Sequence, residues 1–266
     1  MGPIMGPLFG GIMAELFNWR WAFYMIFPLG IIAILFALAA LSNDQRHKVQ
    51  RFDILGFCII AVAVGATQLM VDRGQRLDWL DSFEIQLELC LAVVFLYLFV
   101  IHILTSRNAL FDPTIFKDRN FAIGLAFVAL MGMLQFTPLV LFPPLLQELR
   151  GYPDSIVGYL LAARGTGNLI SFLFVVPLTR FDPRLCLFIG LGLQALSGFW
   201  MSSLDIYMTT ADVFWCNIVH GIGFGTAYTP MAVMTFSTLS FRLLTQGNAI
   251  FSLLRLLGSC IFIAIT

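Results

Sequence analysis

Two arginines stand where a charge is costly. Arg164 lies about ten residues into the apolar run 155–178, and Arg255 about ten residues into the run 246–266. At about 1.5 Å of rise per helical residue, each comes near the middle of a hydrocarbon layer about 30 Å thick. Ionisable groups at that depth face a cavity or a partner, never bare lipid, and by default they mark a substrate or ion path. Their neighbours share a face. Arg164, Asn168 and Ser171 follow i, i+4, i+7, as do Asn248, Ser252 and Arg255, with Ser259 one turn further. Polar stripes of this kind on apolar helices offer binding or charge relay. The plainer alternative is a structural ion pair between helices.

Both arginines need counter-charges. Glu15, Glu88 and Glu148 lie towards the ends of their runs, and an unpaired cation at the bilayer centre costs about 3 kcal/mol or more. Partners are therefore expected in helices outside the chain, in water or on a substrate. Softer candidates are Gln135, which lies near Pro138, Pro143 and Pro144 in a run expected to bend, and Asn217, Gly221 and Tyr228 with His220 beside them. Single phenylalanines read as lipid-facing bulk. Bond-making chemistry is not indicated: His47, His102 and His220 are dispersed, and no acid pair or Ser-His constellation converges. Cys58, Cys90, Cys186, Cys216 and Cys260 sit singly in apolar runs without metal spacing, as small buried hydrophobes do. No catalytic, metal or cofactor residues are assigned.

The elements that must position these residues are membrane helices. Of 266 residues, 59% are hydrophobic and 11% charged, against about 25% charged in soluble domains; mean hydropathy is +0.90. Nine apolar segments follow one another: 3–17, 21–41, 54–72, 85–104, 120–147, 155–178, 184–204, 212–236 and 246–266. The fold class is an all-α membrane protein in the lipid bilayer. A net charge of +0 offers no basic surface to nucleic acid, and the N-terminus lacks a signal peptide's basic flank and cleavage site. Alternate connectors carry Arg46, Lys48, Arg51, Arg107, Lys117, Arg119, Arg180, Arg184 and Arg242, whereas the others carry Arg20, Arg73, Arg76 and Arg150 among many acids. The first set is expected on the cytoplasmic side. The stretch 105–119 mixes Phe111, Ile115 and Phe116 with charges, as either a surface-lying amphipathic piece or a plain connector.

The opening "MGPIMGPLFGG" builds a helix from helix breakers. Gly2, Gly6 and Gly10 recur every four residues, with Pro3 and Pro7 beside them and Gly11 following. Small residues let helix backbones approach in lipid, so this stripe is expected to seat a partner; Gly158, Ala162, Gly165 and Gly167 mark the best one. Enlarging Gly6 to Leu is expected to let protons leak across the bilayer without abolishing insertion.

This stretch, followed by "NWRWAFYMIFPLG", resembles the antiporter motif of major facilitator superfamily drug exporters, in the fourteen-helix drug:proton antiporter branch. "QLMVDRGQRLDWL", "LFDPTIFKDRNF", "LLQELRGY", "HGIGFGTAYTP" and "GNAIFSLLRLLGS" agree in order along the chain. The resemblance implies a major facilitator superfamily helical bundle, N- and C-terminally truncated to about helices five to thirteen. Residues 1–41 would be the last two helices of the N-terminal half. Residues 42–104 would be a cytoplasmic linker and two extra central helices, 105–119 a linker, and 120–266 the C-terminal half without its final helix.

It further implies a proton-coupled multidrug efflux transporter of the bacterial inner membrane. Such a protein uses the proton gradient and no cofactor. Its partners would be protons, drug-like small molecules and, by analogy, a periplasmic adaptor and an outer-membrane channel. The proton site would lie in the missing helices. Two rival readings are an exporter of one metabolite or siderophore and a transport-inactive remnant. "QLMVDRG" reads as an interface anchor with a local ion pair, and "TRFDPR" as a degenerate gating loop.

Overall fold

The computed structural model describes residues 2–40, 52–106, 109–205 and 207–265. Arg46, His47, Lys48, Arg51 and Arg107 lie outside the described residues, as do the side chains of Pro3 and Arg180. Among the described residues every regular element is helical. The helices are α1 (Gly2–Leu16), α2 (Trp19–Tyr24), α3 (Ile26–Ala40), α4 (Ile54–Gly74), α5 (Phe83–Thr105), α6 (Arg119–Arg150), α7 (Asp154–Phe181), α8 (Pro183–Ser202), α9 (Thr210–Phe236) and α10 (Leu244–Ile265). Each expected segment is present. The second is divided into α2 and α3 at Met25, whose N–H still bonds to the Trp21 carbonyl at 3.1 Å.

Polar residues set the boundaries. Asn18 accepts from the Arg20 N–H at 2.9 Å and starts α2. Asp118 takes the N–H groups of Asn120 and Phe121 at 2.9 and 3.1 Å at the start of α6. Asp182, followed by Pro183, accepts from Arg184 and Leu185 at the start of α8. These are the orphan donors of a helix start, and an Asp side chain is among their best acceptors. In "TRFDPR" the carboxylate therefore serves as a helix cap. Gly151, at φ +62°, makes the left-handed turn that ends α6, a conformation glycine adopts without steric cost.

Among the described residues seven helical stretches are long and apolar enough to span a bilayer: α2 with α3, α4, α5, α6, α7, α8 and α10. The α1 helix is shorter. The α9 helix, expected as a span, has 27 residues but lies outside that set. Asn217, His220 and Thr226 dilute its apolar content, and all three are buried by protein. A helix wrapped by neighbours needs little lipid-compatible surface.

The chain divides into two compact units, Met1–Val49 with Leu139–Pro230 and Gln50–Pro138 with Met231–Thr266. The chain passes from one to the other inside α6, after Pro138, and inside α9, after Pro230. In the first unit α1 lies along α7, and Phe142, Leu146, Leu160 and Val213 form an apolar core. In the second unit α4 and α5 form a hairpin with α10 against α4. Asp53 ties its parts together: its carboxylate accepts from Gly56 N–H at 2.9 Å and Leu110 N–H at 3.0 Å and meets His102 Nε2 at 2.8 Å. Burial opposes the Asp53 charge, but these three partners outweigh it and hold the carboxyl below its usual range. The 105–119 stretch contains one 3-10 turn over Pro113–Lys117, capped by Asp112 and anchored by buried Ile115. The Asp112 N–H donates to Gln246 of α10 at 2.9 Å.

Candidate functional site

Glycines bring α7 and α9 together backbone to backbone. A Cβ on Gly167 would strike the Ile218 carbonyl, one on Gly221 the Arg164 carbonyl, and one on Gly225 the side chains of Ser171 and Asn168. No other residue lets two helices approach so closely. Arg164 is thereby set into the protein at 4% exposure, and its Nη2 donates to Asn217 Oδ1 at 3.0 Å. Asn217 Nδ2 in turn donates to the Val213 carbonyl at 2.9 Å, which fixes its oxygen towards the guanidinium. Ser171 turns back onto the Asn168 carbonyl at 2.6 Å.

The α8 helix adds a wall that the sequence reading missed. Cys186, Gly190, Gln194 and Ser197 are its buried residues. Gly190 touches Ala227 and Gly223 touches Gln194, so α8 and α9 also pack closely. Gln194 is 2% exposed, and among the described residues neither its amide nitrogen nor its oxygen finds a partner; nor does Asn168 Oδ1. Buried polar atoms are almost always satisfied. Unmet ones in a protein interior suit water or a polar ligand. The i, i+4, i+8, i+11 spacing of small and polar residues in α8 was the available signal.

Among the sequence candidates, Arg164, Asn168 and Asn217 come together in the first unit. Tyr228 is one helical face further along α9, half-buried and stacked on Phe224 with ring centroids 5.2 Å apart. Gln135, Asn248, Ser252 and Arg255 belong to the second unit. There Gly132 sits on the Arg255 backbone and Gly258 on Ala129, so that α6 and α10 pack closely. Along α10 the expected stripe is uneven: Asn248 is exposed, Ser252 and Arg255 are half-buried, and Ser259 is buried. Glu88, which the sequence places near a helix end, is buried at 8% exposure, and its Oε2 lacks a partner among the described residues.

The glycine-proline helix meets the partner expected for it, through a different face. Gly11 and Gly158 lie against each other, and a Cβ on Gly158 would strike the Pro7 carbonyl. By contrast, Gly2, Gly6 and Gly10 have open space where a side chain would go. Among the described residues the α1–α7 seam thus runs through Pro7 and Gly11, and not through Gly2, Gly6 and Gly10. Glu15 completes the contact by accepting the Ser155 N–H at 3.0 Å, a cap for α7 supplied from α1. In "QLMVDRG", Asp72 bonds to Gln68 within α4, and Arg73 pairs with Glu84 of α5 instead of with its neighbour. Cys58 and Cys90 are exposed on their helices, in contrast to the buried role expected for them, because they face away from the α4–α5 seam.

Over residues 1–263 the chain matches a family model described as Major Facilitator Superfamily. It is similar to the Multidrug export protein EmrB of Escherichia coli (strain K12), 30% identical over 272 residues that cover 100% of this chain and 52% of the relative. The Fatty acid resistance protein FarB of Neisseria gonorrhoeae is 30% identical over 263 residues, covering 97% of this chain and 51% of the relative. The Colistin resistance protein EmrB of Acinetobacter baumannii is 25% identical, covering 100% of this chain and 52% of the relative. The chain spans about half the length of the curated relatives it matches.

Proposed function

The chain belongs to the Major Facilitator Superfamily, and from that premise we propose that it serves the proton-coupled export of lipophilic or amphipathic compounds from the cytoplasm by alternating access. It is a multi-pass protein of the bacterial inner membrane, from a family of transporters and not of enzymes. The observation that carries the proposal is Arg164, a cation buried between apolar helices and bonded to Asn217, with unmet polar atoms of Gln194 and Asn168 in the same unit. Such groups are costly at membrane depth and belong on substrate or ion paths. Relatives named for multidrug export and for fatty acid and colistin resistance support a lipophilic cargo.

In this reading the proton gradient supplies the energy, and protons and drug-like molecules compete for a central site between rocking halves. The α1–α7 contact through Gly11 and Gly158 acts as a seal. The connectors rich in Lys and Arg face the cytoplasm. Residues 1–41 end one half, 42–104 contribute two added helices, 105–119 link them onward, and 120–266 build the other half. A periplasmic adaptor and an outer-membrane channel are further partners by analogy alone.

The test compares cells in which the native gene is intact, deleted or edited to Arg164→Ala, following retention of a fluorescent lipophile. Deletion and Arg164→Ala are both expected to raise retention several-fold, with the variant inserted in normal amount. Retention unchanged by deletion overturns the export reading, and unchanged retention in Arg164→Ala alone removes Arg164 from the path.

A further inference from the structure

The second unit holds a cleft that the polar interior of the first does not explain. It lies between α4 and α10 and has a volume of about 540 Å³, within the range of about 300–1,000 Å³ usual for small-molecule sites. Phe57, Val64, Leu253 and Leu256 are among its apolar walls, and among the described residues its polar lining is Gln68 and Ser252. Among the described residues no charged side chain lines it. Gly65 forms part of the wall, and a Cβ there would meet nothing within 4 Å, so the hollow extends where a side chain is missing. The Gln68 amide nitrogen donates to both carboxylate oxygens of Asp72 at 3.1 Å. That bond directs the nitrogen along α4 and leaves the amide oxygen as an acceptor, with the Ser252 hydroxyl as a second polar group on the opposite wall.

We propose that this cleft binds an uncharged lipophilic molecule drawn from the bilayer, with an aromatic or polycyclic body against the leucine and phenylalanine walls and one hydrogen-bonding group at Gln68 or Ser252. A charged ligand would be left without a counter-charge in a wall of hydrocarbon, which is costly. A lipid tail makes no use of the amide and hydroxyl. The site stands independently of the export reading: binding here requires no proton movement.

Benzophenone is a suitable probe, being uncharged, aromatic and photoreactive, with one ketone acceptor for the Ser252 hydroxyl. The intact protein in native membrane vesicles is irradiated at rising benzophenone concentration, and adducts are mapped by peptide mass spectrometry. The expected result is saturable labelling on 57–68 of α4 and 252–257 of α10, competed by diphenylmethanol. Gly65→Leu, whose Cβ has open space and whose side chain would fill the hollow, lowers it about tenfold. Gly198→Leu, at an equally open glycine on α8, leaves it unchanged. Ser252→Ala, the gentler change, weakens it several-fold and serves if Gly65→Leu fails to insert. Labelling that rises linearly and equally on α3 and α8 would mean partitioning into the bilayer only and overturns the proposal. So does saturable labelling that neither Gly65→Leu nor Ser252→Ala reduces.

Discussion

Gly11 and Gly158 face each other so closely that a side chain on either must push α1 from α7. Overpacking of this kind costs about 1–3 kcal/mol. Gly11→Leu and Gly158→Leu are therefore expected to lower the temperature at which the detergent-solubilised protein loses its monodisperse peak, whereas Gly6→Leu, facing open space, should leave it unchanged. Asp53 permits a second prediction. Its carboxyl is held below the ordinary range despite the opposing effect of burial, by the Gly56 N–H, His102 and the Leu110 N–H. Its contribution is thus complete above the ordinary carboxylate pKa and is lost as pH falls through the depressed value, below about pH 4. Thermal unfolding followed from pH 7 to pH 3 should show wild-type stability converging on that of Asp53→Asn at the acid end. Parallel curves throughout would contradict this account of the Asp53 contacts.

At the scale of elements, α7, α8 and α9 are held by contacts that depend on glycine and on small polar groups. Gly221→Leu is expected to separate α7 from α9 and break the Arg164–Asn217 bond, which would appear as faster proteolysis of the α9 connector and loss of export. Asn217→Ala removes the acceptor of the Arg164 guanidinium together with the donor to the Val213 carbonyl and should cost about 1–3 kcal/mol, with insertion retained. The seven spanning stretches were legible because runs of about twenty apolar residues have no other use, and Asp, Asn, Pro and Gly mark segment ends. The stripe 164, 168, 171 was legible for the same reason: polar residues at helical spacing stand out against hydrocarbon. Which glycines of α1 face α7 was not. Residues four apart advance by about 400°, so the true seam follows the partner's path along the helix, and that path belongs to tertiary packing. Gln194 escaped notice because a lone glutamine in an apolar run resembles tolerance until its buried neighbours are known. The role of Asp182 was hidden by its arginines: an Asp-Pro pair at a helix start is a cap before it is a charge.

At the scale of the whole molecule, family membership and the membrane fold follow from the pattern of the entire chain, and no single motif determines them. The candidate residues divide between two units, with Arg164, Asn168, Asn217 and Tyr228 in one and Gln135, Asn248, Ser252 and Arg255 in the other. Helical spacing within one run says nothing of which distant run lies beside it, so a single shared cavity could not be read from sequence. If the first unit carries the polar path, Arg164→Ala should be far more damaging to export than Asn248→Ala, whose side chain is exposed on α10. The most direct measurement is proton movement in everted membrane vesicles from cells with the intact native gene. After respiration has acidified the lumen, addition of a lipophilic compound is predicted to release luminal protons, and Arg164→Ala, inserted in equal amount, is predicted to abolish that release. A compound-driven proton release that is the same in vesicles lacking the protein, or that is undiminished in Arg164→Ala, would contradict the account.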